Sequence, residues 1–200
     1  MPKAFTSQEK EIIRNRLHEK GALLFQTHGL RKTSVDDLVK AVGISKGAFY
    51  LFFDSKEELF LEILEGIEEN HRRNLLHIPI SPDDDAVTSV AKLLKGLVFP
   101  LSDYMLLATF DQSDYEYLLR KIAPQRLESH IHHDQQFIRE FNEKISREGI
   151  EIKCSTERIS NLFQCLFFIT LHRNDLGDVV YHETMDILTD LVARYLVEGK

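Results

Sequence analysis

At 200 residues with 43% hydrophobic content, the chain is large enough for one or two globular units with real cores, and no apolar run reaches the roughly 18 residues of a membrane-spanning helix. Cys154 and Cys165 are the only cysteines and show no CxxC or Cys/His spacing, which excludes a disulfide framework and a structural zinc and suits a reducing cytoplasm. The net charge of -7 is unevenly placed: residues 1–56 hold ten Lys/Arg against six Asp/Glu (+4), and the rest hold fifteen against twenty-six (-11). A basic head on an acidic body suits local attraction to phosphate. The opening residues, 1–6, lack the apolar stretch of a signal peptide, so export is not expected.

In chain order, Thr6 with Glu9 three residues later marks a helix start, followed by an apolar stripe at Ile13, Leu17, Leu24 and Phe25 and a left-handed stop at Gly29. Ser34 with Asp37 opens a second helix that turns Val35, Leu38, Val39 and Val42 inward and ends at Gly43. Ile44 plugs a tight turn, and Ser45 caps a short third helix, 46–52. Two short helices around a glycine-containing turn predict a helix-turn-helix. Ser45, Lys46, Gly47 and Ala48 are small or polar, as a helix needs when its N-terminus approaches a major groove. Ser55 caps a fourth helix with Glu58 completing the box, and Lys56 on its first turn is placed to hold a phosphate.

Residues 13–59 resemble the TetR family of repressors. The resemblance rests on Leu24-Phe25, Gly29, Thr33 through Leu38, Ala41 through Gly47, Phe49-Tyr50, Phe53 and Ser55 through Leu59, in register without gaps over about a quarter of the chain. It implies an all-α protein with an N-terminal three-helix DNA-binding domain, 1–55 (motif 34–53), and a larger helical effector-binding and dimerisation domain, 56–200. It also implies DNA contacts from Thr33, Ser34, Ser45, Lys46, Gly47, Ala48, Tyr50, Leu51 and Lys56, with Tyr50 and Lys56 on phosphates and Lys46, Ala48 and Leu51 facing the groove. Two positions depart from the family pattern. Gly21 stands where alanine is usual, at about 1 kcal/mol in helix propensity, and Leu51-Phe52 replaces a more polar pair, leaving Leu51 only apolar contacts such as a thymine methyl.

Downstream, the fourth helix continues to residue 76, and Pro79 and Pro82 break the chain. A stripe at Val87, Val90, Leu94 and Leu97 ends near Pro100; two shorter stretches, 101–110 and 115–122, follow. Pro124 opens a long helix to Gly149, and two apolar helices, 155–173 and 179–197, finish the chain. From the last pair, Leu162, Phe163, Leu166, Met185, Leu188, Val192 and Tyr195 are expected to form a homodimer interface, in line with the family. Phe99, Tyr104, Met105, Phe110, Tyr117, Phe137, Phe141 and Phe168, with Tyr115, have the composition of a small-ligand pocket. His130-Ile131-His132-His133-Asp134 puts His130 on one helical face with His133 or Asp134, but no third ligand is visible, so no metal or other cofactor is assigned. No catalytic motif is present. The expected protein is therefore a cytoplasmic, non-enzymatic regulator that binds double-stranded operator DNA as a homodimer and is released by an unidentified small apolar or aromatic effector. The alternative is an effector-independent DNA-binding dimer controlled by a protein partner.

Overall fold

The computed structural model describes residues 5–103, 106 and 110–199, with side chains described outside 99–103. Ten helices and no strand occur among the described residues. They are α1 (Ser7–His28), α2 (Val35–Val42), α3 (Lys46–Phe49), α4 (Lys56–His77), α5 (Ala86–Asp103), α6 (Gln112–Lys121), α7 (Pro124–Arg147), α8 (Thr156–Leu171), α9 (Arg173–Leu176) and α10 (Asp178–Glu198).

The helix starts follow local chemistry. Reciprocal capping boxes link Thr6 to Glu9 and Ser34 to Asp37, and Ser45, Asp111 and Ser155 each cap the helix that follows them. Pro124 occupies the first turn of α7, where its missing N–H costs nothing. At Gly43, where the sequence ends the second helix, φ 79° and ψ 35° give a left-handed stop. Gly29 also has positive φ, 78°, but its ψ of 164° is extended: the chain leaves α1 directly instead of curling into a left-handed turn. Pro100, expected near a helix end, lies inside α5.

The chain forms two compact units, one spanning Met1–Ile67 with Ala108–Ile122, the other Glu68–Leu107 with Ala123–Lys200. The sequence reading divides the chain at residue 55; by contact, 56–67 and 108–122 fall with the N-terminal helices. In the first unit, Leu17, Phe25, Leu38, Phe49, Leu59 and Phe60 are buried together; Phe25 meets Phe60 edge-on at 5.2 Å, and Phe60 stacks on Phe110 at 5.2 Å. Gly21 permits this packing. A Cβ there would lie 3.1 Å from Leu59 Cδ2 and 3.2 Å from Ile63 Cδ1, so the departure to glycine follows from a close approach of α1 to α4.

The second unit packs α5, α7, α8 and α10 around Val90, Leu94, Phe141, Ile145, Ile159, Leu166, Tyr181 and Met185. Its buried polar groups are mostly satisfied: Tyr181 Oη pairs with Thr170 Oγ1 at 3.2 Å, Thr189 Oγ1 donates to Met185 O at 2.8 Å, and His71 Nε2 pairs with Leu97 O at 3.0 Å.

Candidate nucleic-acid interface

The α2–turn–α3 element is held by backbone bonds before any side chain contributes. Gly43 N and Ile44 N both donate to Val39 O, at 2.8 and 3.0 Å, so the chain reverses within the positive-φ glycine and enters the Ser45 cap. Ser45 Oγ accepts from Ala48 N at 3.1 Å. The third helix is shorter than its sequence pattern predicts. After Phe49 the bonds tighten to Leu51 N→Ala48 O at 3.1 Å and Phe52 N→Phe49 O at 2.9 Å, a narrower turn. Phe49 and Phe53 are both buried, while Tyr50 (49% exposed) and Leu51 (68%) face solvent.

The exposed row is therefore Ser45, Lys46, Gly47, Tyr50 and Leu51. A Cβ on Gly47 would meet nothing within 4 Å, so its backbone is open to solvent on that side. Lys46 Nζ lies 3.0 Å from Asp36 Oδ2, both exposed, and that hydrogen bond raises the lysine's pKa. The ammonium is thus charged and tied only by an exposed ion pair, which a polyanion can displace. Ser34 is exposed at the start of α2; its hydroxyl donates to Asp37 Oδ2 at 2.6 Å, and these bonds hold the Asp37 carboxyl below its ordinary range.

Three residues expected at the interface sit elsewhere. Thr33 is 1% exposed, and its hydroxyl donates to Gly29 O at 2.9 Å, closing the α1–α2 loop. Ala48 is buried against the head's core, because a single-turn helix capped at Ser45 must turn that position inward with Phe49. Lys56, expected on a phosphate, donates to three carbonyls of the α1–α2 loop: Leu30 O at 2.8 Å, Arg31 O at 3.1 Å and Thr33 O at 2.6 Å. An ammonium has three protons, and all three are committed. Partial burial lowers its pKa. Lys56 is a clamp between the α1–α2 loop and the start of α4.

Sequence gave no hint that α6 belongs to this unit. Arg31 Nε lies 3.0 Å from Asp114 Oδ1 and its Nη2 donates to Ser113 Oγ at 2.8 Å. Burial pushes the Asp114 carboxyl up, with Asp111 adding to the rise, while Arg31 opposes it. Tyr117 Oη donates to Glu57 Oε1 at 2.6 Å, and that bond, reinforced by burial, pushes the phenol up to about 12. The Asp111-x-x-Asp114 spacing could have placed the start of α6 but not its partners. Between α1 and α4, Glu62 accepts from Arg14 and pairs with His18 Nε2 at 2.7 Å, with Arg14 over the Phe53 ring at 4.6 Å.

A family model described as bacterial regulatory proteins, tetR family, matches residues 19–63, the span that holds the whole of this turn and both of its helices. The HTH-type transcriptional regulator YuxN of Bacillus subtilis, itself uncharacterised, is 26% identical over 198 residues, 94% of this chain and 65% of its own length. The head of the chain, residues 19–63, thus matches the tetR family. Against the HTH-type transcriptional repressor KstR2 of Rhodococcus jostii it is 43% identical over 65 residues, 32% of each chain. The chain thus spans just under two thirds of the first of these relatives and a third of the second. The tetR-family fold extends further than the sequence likeness. A tetR-family regulator from Pectobacterium atrosepticum superposes with a TM-score of 0.69 at 19% identity, covering 96% of this chain and 98% of its own. FadR of Thermus thermophilus, in complex with lauroyl-CoA, does so with a TM-score of 0.61 at 22% identity, covering 93% and 94%.

The residues expected for other roles separate. Of the pocket set, Phe99, Tyr104 and Met105 lie outside the described residues or side chains. Phe110 and Tyr117 belong to the first unit; Phe137 and Phe141 are core of the second, Phe141 meeting Phe163 edge-on at 5.2 Å; Phe168 is exposed. Tyr115 is half-buried on α6. Of the dimer set, Leu166 and Met185 are buried in the second unit's core, and Leu162, Phe163, Leu188, Val192 and Tyr195 pack against it. Arg158 Nη1 also donates to Tyr195 Oη at 3.0 Å. The large apolar residues left exposed on α10 are instead Val179, Val180, Ile187 and Leu191.

Proposed function

We propose that the protein is a sequence-specific DNA-binding transcriptional repressor that works as a homodimer. The carrying observation is the row Ser45, Lys46, Gly47, Tyr50 and Leu51, exposed on and around the short helix α3, whose Ala48 and Phe49 face inward. Backbone N–H groups, hydroxyls and one ammonium on that row suit phosphate and base edges, and Leu51 suits a thymine methyl. The second copy docks through α10, where Val180, Ile187 and Leu191 share one helical face and remain exposed in the monomer. Two heads then enter successive major grooves about 34–36 Å apart.

Release is assigned to a small apolar ligand, or one with an apolar tail, bound in the second unit. Two half-formed features support this reading. Ser89 Oγ and Asn142 Oδ1 are buried there without a hydrogen-bond partner among the described residues, polar handles of the sort an effector uses. The T. thermophilus FadR of the same fold holds lauroyl-CoA. The continuous α4, which contributes to both units, is the covalent route by which binding would bias the head.

The test is fluorescence anisotropy with labelled DNA from upstream of the protein's own gene. Saturable binding that weakens with salt, and weakens at least tenfold in the Lys46→Ala, Tyr50→Phe double variant, supports the assignment. Indifference to those substitutions overturns it. Adding lauroyl-CoA or free fatty acids to the complex tests the effector separately.

A further inference from the structure

Outside the head, one side-chain cluster in the second unit brings together groups from α4 and α7. Glu68, His130 and Asp134 each offer one donor atom, and these atoms all lie within 4.8 Å of one another. His130 and Asp134 are four residues apart on α7 and so share a face; Glu68 reaches them from α4. It is the third ligand that the sequence alone does not show. Arg72, one turn beyond Glu68 on α4, donates to Asp134 Oδ1 at 2.6 Å and lies 3.7 Å from Glu68 Oε2. Its guanidinium also lies over the Phe137 ring, 5.1 Å from the centroid.

We propose that Glu68, His130 and Asp134 form a binding site for one divalent first-row transition-metal ion, with Arg72 as the cation that competes for it. The donor chemistry carries the choice of ion. An imidazole nitrogen with two carboxylate oxygens suits Zn2+, Mn2+ or Fe2+ at three protein positions with others left open; Mg2+ and Ca2+ favour all-oxygen shells. Metal–ligand bonds of about 2.0–2.2 Å put donors about 3–4.4 Å apart, a spacing the cluster reaches with small side-chain rotations. The charge balance points the same way. Arg72 shows that the two carboxylates, Glu68 and Asp134, draw a cation to this spot. All three ligands are half-buried, so the ionic attractions are less screened than on an open surface. The neighbouring His132 and His133 are exposed and are the natural control for adventitious surface binding.

Calorimetric titration of untagged, chelator-stripped full-length protein tests the site, with Zn2+ as the probe and Mg2+ as the comparison. The expected result is one Zn2+ per chain, with Mg2+ bound at least tenfold more weakly. Glu68→Gln and His130→Gln should each weaken Zn2+ at least tenfold, while a His132→Gln, His133→Gln double variant retains it. Arg72→Gln should bind Zn2+ more tightly, since the competitor is gone; an ion-pair cluster with only a structural role gives no such gain. Metal-free melting by circular dichroism identifies any variant that fails to fold, and the remaining variants then decide. Absence of Zn2+ binding by the wild type, binding indifferent to Glu68→Gln, or weaker binding in folded Arg72→Gln overturns the proposal.

Discussion

Lys56 shows how one residue's role depends on where its protons go. Removing a partly buried ammonium that bonds three carbonyls takes away their donor, so Lys56→Ala should destabilise the protein by about 1–3 kcal/mol. DNA affinity measured below the melting range should fall with no change in its salt dependence, because no phosphate contact is lost. Lys46→Ala should behave in the opposite way. Thermal stability should be unchanged, as for an exposed ion pair, while the salt slope of binding drops by about one or base preference relaxes. Tyr117 gives a pH-dependent counterpart. Its pKa is raised to about 12 by the bond to Glu57 and by burial, so the folded state favours the protonated phenol. That contribution is fully present below the ordinary tyrosine value of about 10 and is lost as pH rises from there through the folded pKa. Alkaline unfolding of wild type and Tyr117→Phe should therefore converge above that window, and a difference that persists there would count against the bond.

At the scale of elements, the head is a set of capped helices whose spacing is set by small residues. Gly21→Ala gains about 1 kcal/mol of helix propensity but presses a methyl against Leu59 Cδ2 and Ile63 Cδ1, overpacking that costs about 1–3 kcal/mol when neighbours cannot yield. Both contacts are the mobile ends of side chains, so the net change should stay within about 1 kcal/mol. Gly21→Leu should cost several times as much, and denaturant unfolding of the two variants separates the outcomes. The third helix shows the limit of reading an apolar run as one element. Its pattern suggests 46–52, yet the helix ends at Phe49 and the chain goes on in tighter three-residue bonds, Leu51 N to Ala48 O and Phe52 N to Phe49 O, a change of pitch that apolar spacing does not mark.

For the whole molecule, the decisive question is which apolar residues are spent on the monomer. Leu166 and Met185 are core, so Met185→Ala should cost about 2–5 kcal/mol in unfolding at any protein concentration. Ile187 (60% exposed) and Leu191 (57%) are available to a second copy. An Ile187→Glu, Leu191→Glu variant should keep its melting transition when monomeric, yet shift to half the mass in sedimentation and lose operator affinity. A dimer that survives both charges would place the interface elsewhere.

Sequence by itself determined the helical class, the caps and turn of the head, and the head's resemblance to the tetR family, because those features are local: hydroxyl and carboxylate three residues apart, glycine at positive φ, apolar residues at helical spacing. It could not separate roles that share one residue type. A lysine at a helix start reads the same whether it meets a phosphate or three carbonyls, and a leucine on an amphipathic face reads the same in a core or at an interface. Nor could it pair Arg31 with Asp114, Tyr117 with Glu57 or Glu68 with His130, each some sixty to eighty residues apart. Those assignments depend on which surfaces meet when the chain closes. Only the tertiary structure supplies that, and it moved Lys56 and Thr33 from the DNA-facing set into the framework that holds Lys46, Tyr50 and Leu51 outward.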